Sequence, residues 1–368
     1  MMQGQTSKDN NRFALLDLLR LAAALMVVAF HWLFRGHAAG VQVTDFPDAS
    51  RLAVYGYIGV DWFFVISGFV IAWTAEGRTA LRFAIMRFAR LYPGYLACMS
   101  VTFAMTLTYQ WSSQQATWVD WLANTTMFAP ALGRQFMDGA YWSIVVEIVF
   151  YGWVFLGLAS GLWARRIPIA FVWLAISVAN MVWINSEALR LLLITDFAPW
   201  FIIGMMMQDI WKRGARLEVT VILVTAVLAS CLSLAIQVPG FANDYGVAPD
   251  LALLFSLNLL GILLIAWAIG VENINPTLAR WSLLAGAVSY PLYLFHQHAG
   301  YMLIDRLSPV LGSAGALTIA SVAVSAVGLS TALLIERPLR PHISGALITV
   351  LERAAQNGRL SIFGVRKR

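Results

Sequence analysis

The fold of this chain is decided by residues 16–32, which read LDLLRLAAALMVVAFHW. The segment is long and apolar enough to cross a membrane as a helix, yet it contains the ionisable residues Arg20 and His31. Eleven residues at ~100° each make about three turns plus ~20°, so both side chains lie on one helical face, roughly 16 Å apart along the axis. Ionisable groups are costly inside a membrane, so the segment predicts a functional path across the bilayer.

The composition of the whole chain agrees with this first segment. Hydrophobic residues make up 60% of the sequence, charged residues only 12%, and the mean hydropathy is +0.72, which together exclude a soluble globular domain. We therefore predict an all-α, polytopic integral membrane bundle of about ten transmembrane helices. The predicted spans are 14–34, 54–75, 91–110, 141–160, 167–185, 189–208, 217–236, 251–270, 282–305 and 313–335.

Lys and Arg are unevenly distributed between the predicted loops. With the N-terminus taken as cytoplasmic, 19 of these residues fall on the inner side, five on the outer side, and Arg20 within a span. This bias predicts cytoplasmic termini for a multi-pass protein of the inner (plasma) membrane. The net charge of +6 then reflects topology and a basic tail, so no nucleic-acid partner is expected. We expect a membrane domain over residues 1–340 and a basic cytoplasmic tail over residues 341–368. Cys98 and Cys231 show no metal-ligand spacing, and no metal is expected.

Two carboxylates and His31 are predicted to meet near the outer surface. Asp61 lies in the second span, within GYIGVDWFFVISGFVIAW. The fourth span opens with YWSIVVEIVFY, in which Glu147 lies a little over one turn inside the outer surface. Ser143 and Glu147 are four residues apart and share a helical face. A carboxylate among apolar neighbours needs a partner, and a histidine is a natural one, although Asp61 also suits a helix cap. We expect His31, Asp61 and Glu147 to converge on one outer-leaflet cavity.

Arginines dominate the opposite, inner side. Arg87 and Arg90 are three residues apart in RFAIMRFARLYP, and paired guanidinium groups suit bidentate contacts with phosphate. The alternative is that they serve only to fix topology. Arg20 follows Asp17 by three residues, which suits either a structural ion pair or contact with an anionic ligand entering from the cytoplasm.

The ninth predicted span contains SYPLYLFHQH. Ser289, Tyr293 and His296 share one helical face, and Pro291 should kink the helix. His296 is predicted as a hydrogen-bond partner of the reacting groups, as a substrate contact or as a pore-lining residue. Trp142 stands either at the membrane interface or among the substrate contacts.

Six motifs in this order resemble those of the membrane acyltransferase-3 family, which includes O-acetylases of O-antigen, Nod factor, exopolysaccharides and macrolides. The resemblance covers nearly the whole chain. The motifs are R-x10-H (Arg20, His31), GVDWFFVISGF (59–69), R-x-x-R (Arg87, Arg90), WSIVVEIVFY (142–151), SYPLYLFH (289–296) and E-x-P (Glu336, Pro338). Leu18 and Phe88 depart from residues that are common in the family, and neither is among the candidate chemical residues.

The resemblance implies an O-acyltransferase that moves an acyl group, with acetyl as the expected group, from cytoplasmic acyl-CoA to a hydroxyl of a cell-surface carbohydrate. The expected partners are therefore acyl-CoA, a carbohydrate acceptor and the lipid bilayer. Arg20, Arg87 and Arg90 would hold the CoA. His31 would act as general base or, less favourably, as an acylated nucleophile, with Asp61 or Glu147 orienting its ring. The residues expected to contact the substrate or support these groups are Ser143, Trp142, Tyr293 and His296.

Two other functions stay open at this point. One is a proton-coupled secondary transporter that uses His31, Asp61 and Glu147 as a relay. The other is a membrane receptor or scaffold for polysaccharide assembly, although that function gives no reason for buried histidine and carboxylate side chains.

Overall fold

The structure, a computed structural model, describes residues 13–109, 116–271 and 273–356, and in these ranges it is all helical with no β-strand. This confirms the predicted all-α class. The described residues form eleven helices of 14 residues or more, which we number α1 (Ala14–Phe30), α2 (Gly59–Ala75), α3 (Ala80–Tyr109), α4 (Trp142–Ala159), α5 (Arg166–Ala179), α6 (Ala198–Arg213), α7 (Leu217–Tyr245), α8 (Leu251–Gly270), α9 (Pro276–Phe295), α10 (Gln297–Ser330) and α11 (Arg337–Gln356). Shorter α-helices are Pro47–Ala53, Trp118–Asn124 and Glu187–Leu193.

Eight helical segments in the described residues are long and apolar enough to cross a membrane, in agreement with a multi-pass membrane protein. The count of about ten and the cytoplasmic termini stay predictions. The predicted span 282–305 is not one continuous helix, since α9 ends at Phe295 and α10 begins at Gln297. Helix α10 is itself bent at Gly312, whose φ is +69°. Helix α11 runs through the predicted domain boundary at residue 340, and residues 357–368 of the predicted tail lie outside the described residues.

The core of the bundle forms around helices α1, α2, α6 and α9. Helices α2 and α6 approach so closely that a Cβ atom on Gly68 would lie 2.2 Å from the carbonyl oxygen of Phe201. Only a glycine fits such an approach, which is a common device for packing helices in membranes. Helix α1 packs against both α2 and α9, which carry two of the other candidate motifs.

Two π-helical turns interrupt the regular helices at candidate residues. The turn His31–Arg35 follows α1, and the turn Thr331–Glu336 follows α10. A π-turn inserts one residue into the helical register and therefore re-aims the side chains around it, and such turns are frequent at functional sites. Here the first turn begins at His31 and the second ends at Glu336.

Candidate active site

A cavity of about 920 Å³ extends between α1, α2, α3, α4, α9 and the residues that follow α10. One end, which we call the arginine end, is lined by Arg20, Arg87, Arg90, Arg280, Arg337 and Arg340. The other end, which we call the histidine end, is lined by Val60, Ser143 and Tyr293. Helix α1 contributes Asp17 and Arg20 to this lining, whereas His31 does not line the main cavity.

The arginine end has an excess of positive charge. The described residues that line the main cavity include six arginines but only three acidic residues, Asp17, Glu147 and Glu336. Arg20 forms an ion pair with Asp17 at 2.9 Å, and Arg90 forms one with Glu336 at 2.7 Å. The remaining arginines leave this end suited to an anionic ligand.

Arg87 differs from Arg90 in having no carboxylate partner among the described residues. Its Nε atom is buried without a hydrogen bond, and its guanidinium lies 5.9 Å from the centre of the Phe83 ring. The R-x-x-R motif thus contains one arginine that is held by a carboxylate and one whose donors are available to a ligand.

Glu147 lies in the wall of the main cavity, on α4. Its Oε1 atom accepts hydrogen bonds from the Ser67 hydroxyl at 2.8 Å and from the Tyr151 hydroxyl at 2.5 Å. Ser67 is six residues beyond Asp61 on α2, which is about 9 Å along the helix axis. Glu147 is therefore held beside Ser67, about 9 Å along α2 from the level of Asp61.

Two hydroxyl groups close the histidine end. The Ser143 and Tyr293 hydroxyls are 2.6 Å apart and lie 3.1 and 3.2 Å from the carbonyl oxygen of Ala140. Each hydroxyl has one proton, so one hydroxyl donates to the other, which in turn donates to this carbonyl oxygen. The Tyr293 ring also packs against the His296 ring, with 5.5 Å between their centres. The end of the main cavity is thus separated from His296 by a single aromatic side chain.

His31 and His296 form a buried, hydrogen-bonded pair. His31 Nδ1 lies 2.9 Å from His296 Nε2 and 2.9 Å from the carbonyl oxygen of Val27, while His296 Nδ1 lies 2.7 Å from the carbonyl oxygen of Tyr293. Carbonyl oxygens can only accept, so neutral His296 carries its proton on Nδ1 and accepts at Nε2. His31 then carries its proton on Nδ1, between two acceptors. Its Nε2 atom keeps a lone pair and has no hydrogen-bond partner among the described residues.

The environment of the pair comes from residues that the sequence analysis did not single out. The Trp32 indole donates to the carbonyl oxygen of His296 at 2.8 Å. Asp138 is fully buried and accepts from the backbone N–H groups of Ala140 and His298, at 3.0 and 2.9 Å. Burial raises the pKa of the Asp138 carboxyl, whereas a positive charge on the nearby His296 ring would lower that pKa. Asp138 is therefore a buried carboxylate within electrostatic range of His296.

The predicted cluster of His31, Asp61 and Glu147 is not joined by hydrogen bonds in the described residues. Asp61 is only 5% exposed and lies in the first turn of α2, where it makes no hydrogen bond to another described residue. Glu147 instead binds two hydroxyl groups in the main cavity. His31 and Asp61 are thus buried and Glu147 is partly buried, while the partner that His31 contacts is His296.

Trp142 lies apart from the main cavity. The Trp142 side chain is 38% exposed, packs against Phe197 with 5.2 Å between ring centres, and does not line the main cavity. No group of three or more histidine, cysteine or acidic residues within residues 13–109, 116–271 and 273–356 is arranged to hold a metal ion.

Comparison with known protein families shows the class of protein to which the chain belongs. The sequence model of a family described as an acyltransferase domain matches residues 13–335. The chain belongs to this family. The matched region contains both ends of the main cavity and the histidine pair, and only the last residues of the arginine end lie beyond it. The prediction that the protein is a membrane acyltransferase is therefore confirmed, and the transporter and scaffold alternatives are not supported.

Two characterised proteins resemble the chain over different lengths. The exopolysaccharide production protein ExoZ of Rhizobium meliloti (strain 1021) is 29% identical over 300 residues, which cover 77% of this chain and 89% of ExoZ. The acyltransferase MdmB of Streptomyces mycarofaciens is 30% identical over 175 residues, which cover 42% of this chain and 41% of MdmB. No solved structure matches the chain.

Proposed function

We propose that this protein is an O-acyltransferase that moves an acyl group, most simply acetyl, from cytoplasmic acyl-CoA to a hydroxyl of a cell-surface carbohydrate. One observation supports the proposal above the others. A single cavity of about 920 Å³ connects an arginine-rich end with a hydroxyl pair that adjoins the buried His31–His296 pair. A donor with an anionic head and a reactive thioester at the end of a long arm matches both ends of this cavity.

The arginine end would bind the phosphate groups of CoA. Guanidinium groups form charge-assisted, bidentate hydrogen bonds to phosphate oxygens, and Arg87 has donors that no described residue occupies. Arg20 and Arg90 line the same end while paired with Asp17 and Glu336, so they contribute charge from fixed positions. The polar arm of CoA would pass Glu147, which places the thioester beside Ser143 and Tyr293.

His31 would act as the general base. The proton of the acceptor hydroxyl passes to His31 Nε2 as the hydroxyl oxygen attacks the thioester carbonyl carbon. The C–S bond then breaks, the CoA sulfur leaves with its electron pair, and it receives the proton from His31. We assign the orientation of the His31 ring to His296, in place of Asp61 or Glu147, because His296 Nε2 accepts from His31 Nδ1. A hydroxyl of the Ser143–Tyr293 pair would turn from the carbonyl oxygen of Ala140 and donate to the developing oxyanion.

The orientation of the protein in the membrane is part of the proposal. The uneven distribution of Lys and Arg supports an arginine end that faces the cytoplasm, where acyl-CoA is made. A cysteine at Leu122, which is 63% exposed on the helix Trp118–Asn124, should react with an impermeant maleimide from outside the inner membrane. Reaction only after the membrane is permeabilised would reverse the orientation and exclude the proposed donor site.

The acceptor class follows from the relatives and not from the cavity. The similarity to a protein named for exopolysaccharide production supports a carbohydrate acceptor. Surface glycans from cells with and without the gene should differ by the mass of one acyl group per modified unit. Identical glycan masses would contradict the proposal that the acceptor is a carbohydrate.

The transfer itself is best tested with the purified, reconstituted protein. Incubation with acetyl-CoA and a glycan fraction from cells that lack the gene should release free CoA thiol and acetylate the glycan in equal amounts. A His31→Gln variant serves as the control for background hydrolysis. Thiol release that is no faster than in the control would contradict the proposed function.

A further inference from the structure

A second cleft, of about 440 Å³, lies on the far side of the histidine pair from the main cavity. Three separate stretches of chain each run from the lining of the main cavity to the lining of the second cleft. Along α1 and the π-turn that follows it, Arg20 lines the main cavity, His31 comes next, and Arg35 lines the second cleft. Tyr293 lines the main cavity and Gln297 the second cleft, with His296 between them. The histidine pair therefore lies between two separate openings.

The stretch that leads into α4 repeats this arrangement over one turn. Gly139 lines the second cleft and Ser143 lines the main cavity. A ligand in the second cleft and a thioester at the histidine end would thus approach the same few residues from opposite directions. The second cleft has the position that an acceptor needs if the donor occupies the main cavity.

The wall of the second cleft contains a polar group that the protein itself does not satisfy. The Gln297 side chain is 98% buried, and its Oε1 atom has no hydrogen-bond partner among the described residues. An unpaired buried carbonyl of this kind is costly, and a ligand hydroxyl would satisfy it. Phe136 and Tyr301 add aromatic rings to the same wall, which suits the apolar face of a sugar ring.

The second cleft is also positively charged. Arg35 and Arg134 both line it, and no acidic residue lines it in the described part of the chain. Arg35 donates through Nε to the Tyr245 hydroxyl at 3.0 Å and forms no ion pair with a described residue. Arg134 is half exposed and pairs with Asp120 only at 3.4 Å. Asp138, which lies nearby, is occupied by two backbone N–H groups.

We propose that the second cleft is the acceptor site and that it selects a sugar with an acidic substituent, either a carboxylate or a phosphate. The proposal rests on the proposed function for the role of the bound sugar, but binding itself does not depend on it. Arg35 and Arg134 hold the acidic group, and the Gln297 amide pairs with a sugar hydroxyl. A neighbouring hydroxyl of the same sugar then lies towards His31.

Equilibrium binding to the full-length protein in nanodiscs tests this site without any acyl donor. The probes are cellobiouronic acid, cellobiose and cellobiose 6-phosphate, which share a disaccharide frame and differ in charge. We expect both acidic probes to bind at least tenfold more tightly than cellobiose, because charged hydrogen bonds are worth about that factor or more. A preference for one acid over the other identifies which substituent the site takes.

Three variants and one control locate the effect. Arg35→Gln and Arg134→Gln should each reduce the advantage of the acidic probes about tenfold, and Gln297→Leu should weaken all three probes. Arg306→Gln makes the same change in charge at an exposed position that does not line the second cleft, and should leave binding unchanged. Because Arg134 lies in a half-exposed loop position, its variant tests the site even if Arg35→Gln fails to fold.

The outcomes separate this inference from the proposed function. Equal binding of acidic and neutral probes, or no binding of either acid while an acyl-CoA analogue still binds, would overturn the acidic acceptor site and leave the proposed function intact. Selective binding of the acids by a protein that transfers no acyl group would support the site and contradict the proposed function.

Discussion

The two arginines of the R-x-x-R motif should respond in opposite ways to the same substitution. Arg87 has no carboxylate partner in the described residues, whereas Arg90 forms a 2.7 Å ion pair with Glu336. If Arg87 donates to a CoA phosphate, Arg87→Ala removes a charged hydrogen bond worth about 1.5–3 kcal/mol, which is about 10- to 150-fold in affinity. Its effect on stability should stay within about 1 kcal/mol, because the substitution breaks no ion pair among the described residues and removes only the contact with the Phe83 ring.

Arg90→Ala should mainly destabilise the protein. Breaking a buried ion pair costs about 3–5 kcal/mol when one charge is left unpaired, and the 23% exposure of the Arg90 side chain lowers our expectation to about 2–3 kcal/mol. The double variant Arg90→Ala/Glu336→Gln should recover most of this loss, since the carboxylate left without a partner is then removed.

Calorimetric titration with a non-hydrolysable acetyl-CoA analogue, together with thermal unfolding of each variant in nanodiscs, measures both effects. Arg82→Ala is the matched control, because Arg82 lies on the same helix, is exposed and does not line the main cavity. Unchanged affinity in Arg87→Ala would refute the proposed phosphate contact and assign the motif to topology and stability. A stable Arg90→Ala variant would show that the ion pair with Glu336 does not hold α3 to the residues after α10.

Two further predictions concern stability. Gly94→Ala would place a Cβ atom 2.0 Å from Glu336 Oε1, so the carboxylate must move, and we expect a loss of about 1–3 kcal/mol, measured as a lower Tm. A second prediction concerns Glu76, whose carboxylate contacts Lys212, Arg166 and Arg213. Burial alone would raise the pKa of Glu76, but the three positive charges outweigh burial and hold this pKa below its ordinary value. The stability from Glu76 should therefore be complete above the ordinary pKa and be lost as the pH falls through the lowered one, so the acid-induced fall in Tm should be smaller in Glu76→Gln.

The sequence predicted the path through the bundle better than the contacts along it. The spacing of Arg20 and His31 predicts both on one helical face, and in the structure Arg20 lines the main cavity while Arg35, four residues after His31, lines the second cleft. The spacing rule applies because it needs only helical periodicity. His296 was predicted as a hydrogen-bond partner, but its contact with His31 joins residues 265 positions apart and depends on how α1 and α9 pack.

Whether His31, Asp61 and Glu147 contact one another could not be predicted from the positions of the spans alone. Depth in the membrane was estimated from span boundaries, which says nothing about the rotation of each helix about its axis. In the structure the rotation of α4 directs Glu147 towards Ser67. Asp138 was missed because an aspartate before a glycine in a loop is typical of a turn, and its burial depends on the distant chain around His298.

The ion pair between Arg90 and Glu336 could not be predicted from the sequence either. Both residues were noted in separate motifs, R-x-x-R and E-x-P, that lie 246 positions apart. A π-turn ends at Glu336 and sets its direction, and a single sequence carries no clear signal for such a turn. The structure thus joins the two motifs at one end of the main cavity, and of the two arginines in the R-x-x-R motif it leaves Arg87 without an ion-pair partner among the described residues.

The measurement that tests the account most directly is the single-turnover rate of acyl transfer in reconstituted protein that carries His31→Gln. An amide at this position can hydrogen-bond but cannot accept the hydroxyl proton, so the rate should fall by about 10²- to 10⁴-fold while the affinity for the acetyl-CoA analogue stays at the wild-type value. A near wild-type rate in this variant would show that His31 is not the base, and would contradict the mechanism proposed for the cavity and the histidine pair.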